Sequence, residues 1–243
     1  MVLTFLSLLR VACYAGAAYG LARHTASADP RTRNRSLALL ILGFMVGAGI
    51  LAWRAGSSGT LPLATRFDVL GLFAFMVTAA FLVLLWQRPV PALGAVILPV
   101  PAAALLLGVL PNPLPAQNPA ALGNPWVAGH ILLFFLAYSA LLLGFGLGVL
   151  YLLLESQLKA KKLTGLLFRL PPLAELDLVL GRSETLGFIS LTAAIAVAER
   201  GFRASGITWS LDSKMAAIFM TWAVYGLYLL LRLVRGWRGR KSA

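Results

Sequence analysis

The chain has few side chains that could perform chemistry. It contains two histidines, one cysteine and eight carboxylates among 243 residues. Their spacing does not form a Ser-His-Asp arrangement, a zinc-binding set, a glycine-rich phosphate loop or a CxxCH haem-attachment motif. The sequence therefore predicts a protein that is not an enzyme.

His130 is the stronger functional candidate of the two histidines. It lies near one end of a long apolar run, four residues after Trp126. Burying an imidazole at membrane depth costs free energy unless the ring has a partner. Two interpretations stay open: a ligand for a metal centre, or an imidazole that hydrogen-bonds to a neighbouring helix or reaches the interface. His24 lies in a basic loop, where we expect it to be solvated.

Arg10 is the charged residue nearest the middle of an apolar run. A guanidinium that faces lipid is costly, so we expect Arg10 to face other helices, a carboxylate such as Asp68, or the acidic group of a ligand. The alternative is a first helix that begins later or is shifted outward, which would bring Arg10 to the interface.

Seven apolar runs must position these side chains. Sixty per cent of the residues are hydrophobic and the mean hydropathy is +0.86, which exceeds what a soluble core of this length can bury. The runs cover residues 2–21, 37–53, 67–86, 90–110, 126–154, 185–198 and 214–234. Because they are continuous rather than alternating, they predict an all-α fold, a polytopic transmembrane helical bundle of about seven spans. We expect one integral-membrane domain, residues 1–243, and a fourth span that is kinked by Pro91, Pro99 and Pro101.

The basic residues predict the topology of these spans. The net charge is +13, and most of the arginines and lysines lie in the odd-numbered loops and the C-terminal segment. By the positive-inside rule the N-terminus is outside and the C-terminus inside. In the third of these loops, Pro171 and Pro172 should interrupt any helix, and we expect a short surface helix at 173–180. The clusters are expected to contact membrane lipid, and nucleic acid is not an expected partner.

Four sequence blocks near the C-terminus occur in a specific order: GFISLTAAI, GITWSLDSKM, WAVYGLYLLLR and RGWRGRKSA. They resemble the cytochrome c assembly superfamily, in its HemX/YpjD-like branch. Members show a GF-x-LLT-x-GI helix start, a WG-x-x-W-x-W-D-P-K-E loop, a W-x-x-Y-x-x-Y-L-H-T-R helix and a GW-x-G-R end. The family-like core covers about residues 126–240.

The resemblance implies haem as a cofactor and assigns roles to three residues. His130 stands where haem-binding members place an axial histidine to the iron, and Trp209 and Asp212 remain from a tryptophan-rich loop that covers the haem. That loop is degenerate here, because Ser205 and Leu211 replace two of its tryptophans. Asp212 also precedes a predicted helix, where it would cap the backbone N–H groups. Leu230 replaces the histidine of the YLHTR pattern and cannot ligate iron.

The resemblance therefore implies a multi-pass protein of the bacterial cytoplasmic (inner) membrane that works in cytochrome c assembly or haem handling. Its expected partners are cytochrome c assembly or haem-biosynthesis proteins. One alternative is a haem-free scaffold that regulates haem biosynthesis or cytochrome assembly. A small-solute transporter is the weaker alternative, because the apolar runs contain almost no carboxylates for ion coupling.

Overall fold

The computed structural model describes residues 1–27, 29–110, 124–161, 170–204 and 213–234. Within these ranges the chain forms eight helices and no strand. The helices are α1 (Val2–Ser27), α2 (Pro30–Ser58), α3 (Arg66–Gln87), α4 (Leu93–Ile97), α5 (Pro99–Val109), α6 (Pro125–Lys159), α7 (Leu173–Ala204) and α8 (Ser213–Val234).

Capping residues set the two ends of α2. Asp29 caps α2 by accepting hydrogen bonds from the backbone N–H groups of Arg31 (3.0 Å) and Thr32 (3.2 Å). The hydroxyl of Thr32 also donates to Asp29, which holds the pKa of that carboxyl below its ordinary value. The negative charge therefore persists at the positive end of the α2 dipole. Helix α2 ends at Ser58 and is followed by the C-terminal cap Gly59, whose φ of 69° suits a residue without a Cβ atom.

The predicted fold class is confirmed. In the described ranges six helices are long and apolar enough to cross a membrane, namely α1, α2, α3, α6, α7 and α8, and a shorter apolar stretch covers Leu93–Val109. That stretch is the predicted fourth span. It is interrupted at Leu98, between α4 and α5, directly before Pro99, whereas Pro91 precedes α4 and α5 continues through Pro101.

Helix α7 differs from the prediction. It runs without a break from Leu173 to Ala204, so the expected surface helix at 173–180 is wrong and is instead the first part of a spanning helix. Asp177 and Glu184 reduce the hydropathy of this part of the sequence. Asp177 pairs with Arg232 on α8, and a contact of this kind cannot be seen in a local sequence window.

The helices pack into two compact units. One contains α1 to α5, and the other contains most of α6 together with α7 and α8. In the first unit α1 packs along α2 and α3 packs along α5, with Tyr14, Leu21 and Phe81 fully buried in its core. The organisation of residues 1–243 as a single domain stays a prediction.

The orientation in the membrane gives a direct prediction. Reporters fused at Lys162 or after Ala243 should be cytoplasmic, and a reporter in the 111–125 loop should be extracytoplasmic, because basic loops stay inside. Alkaline phosphatase and green fluorescent protein fusions at each site would measure this. The reverse result at two of the three sites would contradict the orientation with the N-terminus outside.

Candidate functional site

Helix α6 places His130 near its N-terminal end. The helix begins at Pro125, and the Asn124 side chain caps it by accepting a hydrogen bond from the backbone N–H of Trp126 at 2.9 Å. His130 lies about one and a half turns further on. Its side chain is half-buried, so the ring is held within the unit without being fully enclosed.

The imidazole of His130 has one fixed partner. Its Nδ1 lies 2.9 Å from the backbone carbonyl oxygen of Ala194 on α7. A carbonyl oxygen only accepts hydrogen bonds, so Nδ1 carries the proton in this contact. The lone pair of the neutral ring is then on Nε2, the tautomer that a histidine ligand to a metal requires.

Small residues allow α6 and α7 to approach closely enough for this contact. A Cβ atom at Gly187 would lie 2.6 Å from Cδ2 of Leu141 and 3.2 Å from the carbonyl oxygen of Ala137. A Cβ atom at Gly144, on α6, would lie 2.9 Å from Cγ of Glu184. Larger side chains at these positions would separate the two helices where these residues pack.

Aromatic residues follow His130 along α6 at intervals of four. The ring of Phe134 lies 6.0 Å from the ring of His130, and the ring of Tyr138 lies 4.4 Å from that of Phe134. These two residues were not predicted as site residues, although their spacing places them on one helix face. A face of this kind offers flat apolar rings next to an imidazole, which suits a planar macrocycle.

The aromatic residues of α8 serve in packing. Trp222 stacks on Phe188 of α7 with ring centroids 5.7 Å apart, and its Nε1 donates to the hydroxyl of Thr192 at 3.0 Å. Leu230, at the position of the missing family histidine, is half exposed and offers no ligand atom.

Two of the three predicted site residues, Trp209 and Asp212, lie outside the described residues. His130 is therefore the predicted ligand whose surroundings are known. In the described part of the chain no three His, Cys, Asp or Glu residues form a group that could hold a metal ion. Haem does not require such a group, because its iron is already bound by four porphyrin nitrogens. The site therefore fits haem with one axial ligand from His130.

A polar network that was not predicted from the sequence connects α7 with α8. Nη2 of Arg232 donates to Oδ2 of Asp177 at 3.0 Å and to the backbone carbonyl oxygen of Asp177 at 2.9 Å. Its Nη1 donates to the hydroxyl of Tyr228 at 3.0 Å. Glu184 lies in the same unit, and its buried Oε2 has no hydrogen-bond partner. The i, i+4 spacing of Tyr228 and Arg232 was the available sequence signal.

Arg10 faces the bundle, in agreement with the first of the two expectations for it. Its side chain is 1% exposed and packs against α2, where a Cβ atom at Gly47 would lie 2.7 Å from Nη2. The expected partnership with Asp68 is wrong, because Asp68 forms an ion pair with Arg54 at 2.5 Å. Nε and Nη2 of Arg10 have no hydrogen-bond partner.

Comparisons with known proteins agree with the sequence blocks. The family model described as cytochrome C assembly protein matches residues 35–243. The chain is 29% identical over 231 residues to the cytochrome c biogenesis protein CcsA of Parasynechococcus marenigrum, which covers 84% of this chain and 76% of that protein. It is 28% identical over 214 residues to the CcsA protein of Guillardia theta, with 80% and 71% covered. A CcsA protein of Synechococcus sp. strain RCC307 is 28% identical, with 89% and 79% covered.

Proposed function

This chain belongs to the cytochrome c assembly protein family, and we propose that it handles haem during cytochrome c biogenesis by accepting it at an extracytoplasmic face. It is a multi-pass membrane protein. The proposed action is binding and presentation, without catalytic turnover. We place it in the bacterial inner membrane, beside cytochrome c assembly or haem-biosynthesis proteins.

The observation that carries this proposal is the contact between Nδ1 of His130 and the carbonyl oxygen of Ala194 at 2.9 Å. It fixes the ring orientation and leaves Nε2 free to ligate iron. Such hydrogen bonds to the second ring nitrogen typically support metal-ligating histidines and increase their basicity. Haem, as the cargo, supplies the iron and the apolar macrocycle.

The other residues of the proposed site follow from the family pattern. Trp209 would lie over the macrocycle and Asp212 would contact its polar edge or cap α8. Leu230 cannot provide a second axial ligand. The haem should therefore be weakly held, either five-coordinate or completed by a ligand that is not a histidine of this chain.

A haem-free scaffold of the HemX type is the second candidate. The observation in its favour is Leu230, which removes a ligand that complete haem-binding members have. Such a scaffold would act on the amount or placement of a haem-biosynthetic or cytochrome-assembly enzyme, and His130 would then serve only to hold α6 against α7.

Absorption spectroscopy distinguishes the two candidates. Protein purified in detergent from a haem-replete host should show a sub-stoichiometric Soret band, because one weak axial ligand retains only part of the haem during purification. Two results together would favour the scaffold. The purified protein would show no Soret band, and deletion of the gene would still lower the amount of covalent haem in c-type cytochromes.

A further inference from the structure

A large groove lies between α7 and α8, on the side of the unit that the charge pattern places toward the cytoplasm. Its volume is about 1180 Å³, above the roughly 300–1,000 Å³ of usual small-molecule pockets. The wall is mainly aliphatic and consists of residues from both helices, among them Leu173, Leu178, Leu186, Ile189, Leu229 and Leu233. A groove of this size and lining suits a long amphiphile better than a compact polar metabolite.

Gly181 leaves room for the polar side chain of Arg232 at one end of the groove. A Cβ atom at Gly181 would lie 2.5 Å from Nη2 of Arg232, so only glycine lets the guanidinium lie against α7 at this point. Asp177 pairs with Arg232 there at 3.0 Å. That pair is neutral as a whole and does not attract a charged ligand by itself.

Arg182 adds the uncompensated charge of the lining. It lines the groove one residue after Gly181, its side chain is exposed, and no carboxylate pairs with it in the described part of the chain. The charged residues of the described lining are Asp177, Arg182 and Arg232, and their charges sum to +1.

The length of α7 places Arg182 near the headgroups. The helix has 32 residues and is about 48 Å long at roughly 1.5 Å per residue, against a hydrocarbon core of about 30 Å. If the helix is centred, its first six residues or so lie in the headgroup layer. Arg182 then lies about 5 Å below that layer, a distance that the long arginine side chain spans.

We propose that this groove binds an anionic phospholipid, with an acyl chain along the aliphatic wall and the phosphate at Arg182. Basic pockets between helices on the cytoplasmic side are typical sites for acidic headgroups. The described lining contains no histidine, cysteine or methionine, and Leu230 occupies the family's ligand position. The proposal does not depend on haem binding at His130.

The test compares lipids of equal chain length on the full-length protein after delipidation in detergent. Phosphatidylglycerol should bind about fivefold more tightly than phosphatidylcholine, because one arginine near the membrane surface contributes roughly that factor. Native mass spectrometry of the bound lipid and the lipid-dependent rise in melting temperature would both measure this preference.

Three variants test whether the lipid preference arises in the groove. Arg182→Gln should reduce the ratio of the two lipid affinities to about one, whereas Arg200→Gln should keep the preference. Arg200 is exposed on the same helix, but it does not line the groove. Leu230→Trp should weaken the binding of both lipids, because the larger side chain would fill part of the apolar groove. Inorganic phosphate at matched ionic strength should not reproduce the stabilisation.

Three results would overturn the proposal. The first is equal binding of the two lipids by the unaltered protein, and the second is a preference that persists in Arg182→Gln. The third is a co-purified porphyrin that Leu230→Trp removes, since the groove would then hold a macrocycle rather than a lipid.

Discussion

His130→Ala is expected to abolish the Soret band of protein purified from haem-replete cells. Changes to residues that merely support a metal ligand typically weaken metal affinity by about 10–100-fold, and removal of the ligand itself should exceed that. Haem that is already sub-stoichiometric would then be lost during purification. The measurement is the ratio of Soret to protein absorbance, with total haem determined as the pyridine haemochrome.

His24→Ala is the matched control. His24 is the other histidine of the chain, and it lies at the end of α1, where its Nδ1 is 3.1 Å from the carbonyl oxygen of Asp29. We expect this variant to keep the full Soret band. Trp209→Ala should give an intermediate loss, because a stacking face would be removed while the iron ligand remains.

Rescue separates ligation from a packing role of His130. In His130→Gly, added imidazole can enter the vacated space and restore the axial ligand, so the Soret band should return with increasing imidazole. If His130 only joins α6 to α7, imidazole would restore no band. A band that survives in His130→Ala would show that the iron ligand is another residue, although membership of the family would stand.

The sequence predicted those features that depend on local physical chemistry. Apolar runs gave the spans because backbone groups in a bilayer must be satisfied within each helix. Pro99 gave the break between α4 and α5 because its ring and missing N–H cannot continue the helix. His130 could be singled out because an imidazole at membrane depth needs a partner, although the Ala194 carbonyl 64 residues away could not be foreseen.

The features that could not be predicted depend on contacts between distant helices. Asp177 is tolerated in a spanning helix because Arg232, 55 residues later, donates to it. A hydropathy window contains only one of these two charges, so it assigned Asp177 to a surface segment. The pairing of Asp68 with Arg54 rather than Arg10 was missed for the same reason, since both arginines occur in apolar surroundings and only the packing decides between them.

Arg10 and Arg54 therefore give a paired prediction on stability with opposite signs. Arg54→Met should lower the melting temperature, because Asp68 is 2% exposed and would lose its counter-charge. Breaking a buried pair costs about 3–5 kcal/mol, which corresponds to a decrease on the order of 10 °C for a chain of this size. Hydrogen bonds from Thr65 to Asp68 at 2.7 and 3.1 Å should keep the loss toward the lower end of that range.

Arg10→Met should instead leave the melting temperature unchanged or raise it by a few degrees. Nε and Nη2 of Arg10 have no hydrogen-bond partner, and the ring of Tyr14, 5.9 Å from the guanidinium carbon, is a weak substitute for a carboxylate. Replacing a buried charge by an apolar side chain of similar length removes its desolvation penalty. Methionine is unbranched and flexible, so it suits the space beside Gly47 that the arginine side chain occupies.

The comparison between these two variants tests the role of Arg10. Both arginines belong to the same unit and both change to methionine, so differences in expression or detergent affect them alike. If Arg10→Met destabilises the protein as much as Arg54→Met, Arg10 has an acidic partner among lipids, ligands or the residues that the structure does not describe. If Arg10→Met is more stable but less active in cytochrome c assembly, the chain retains a destabilising charge for its function. Residues of functional sites often reduce stability in this way.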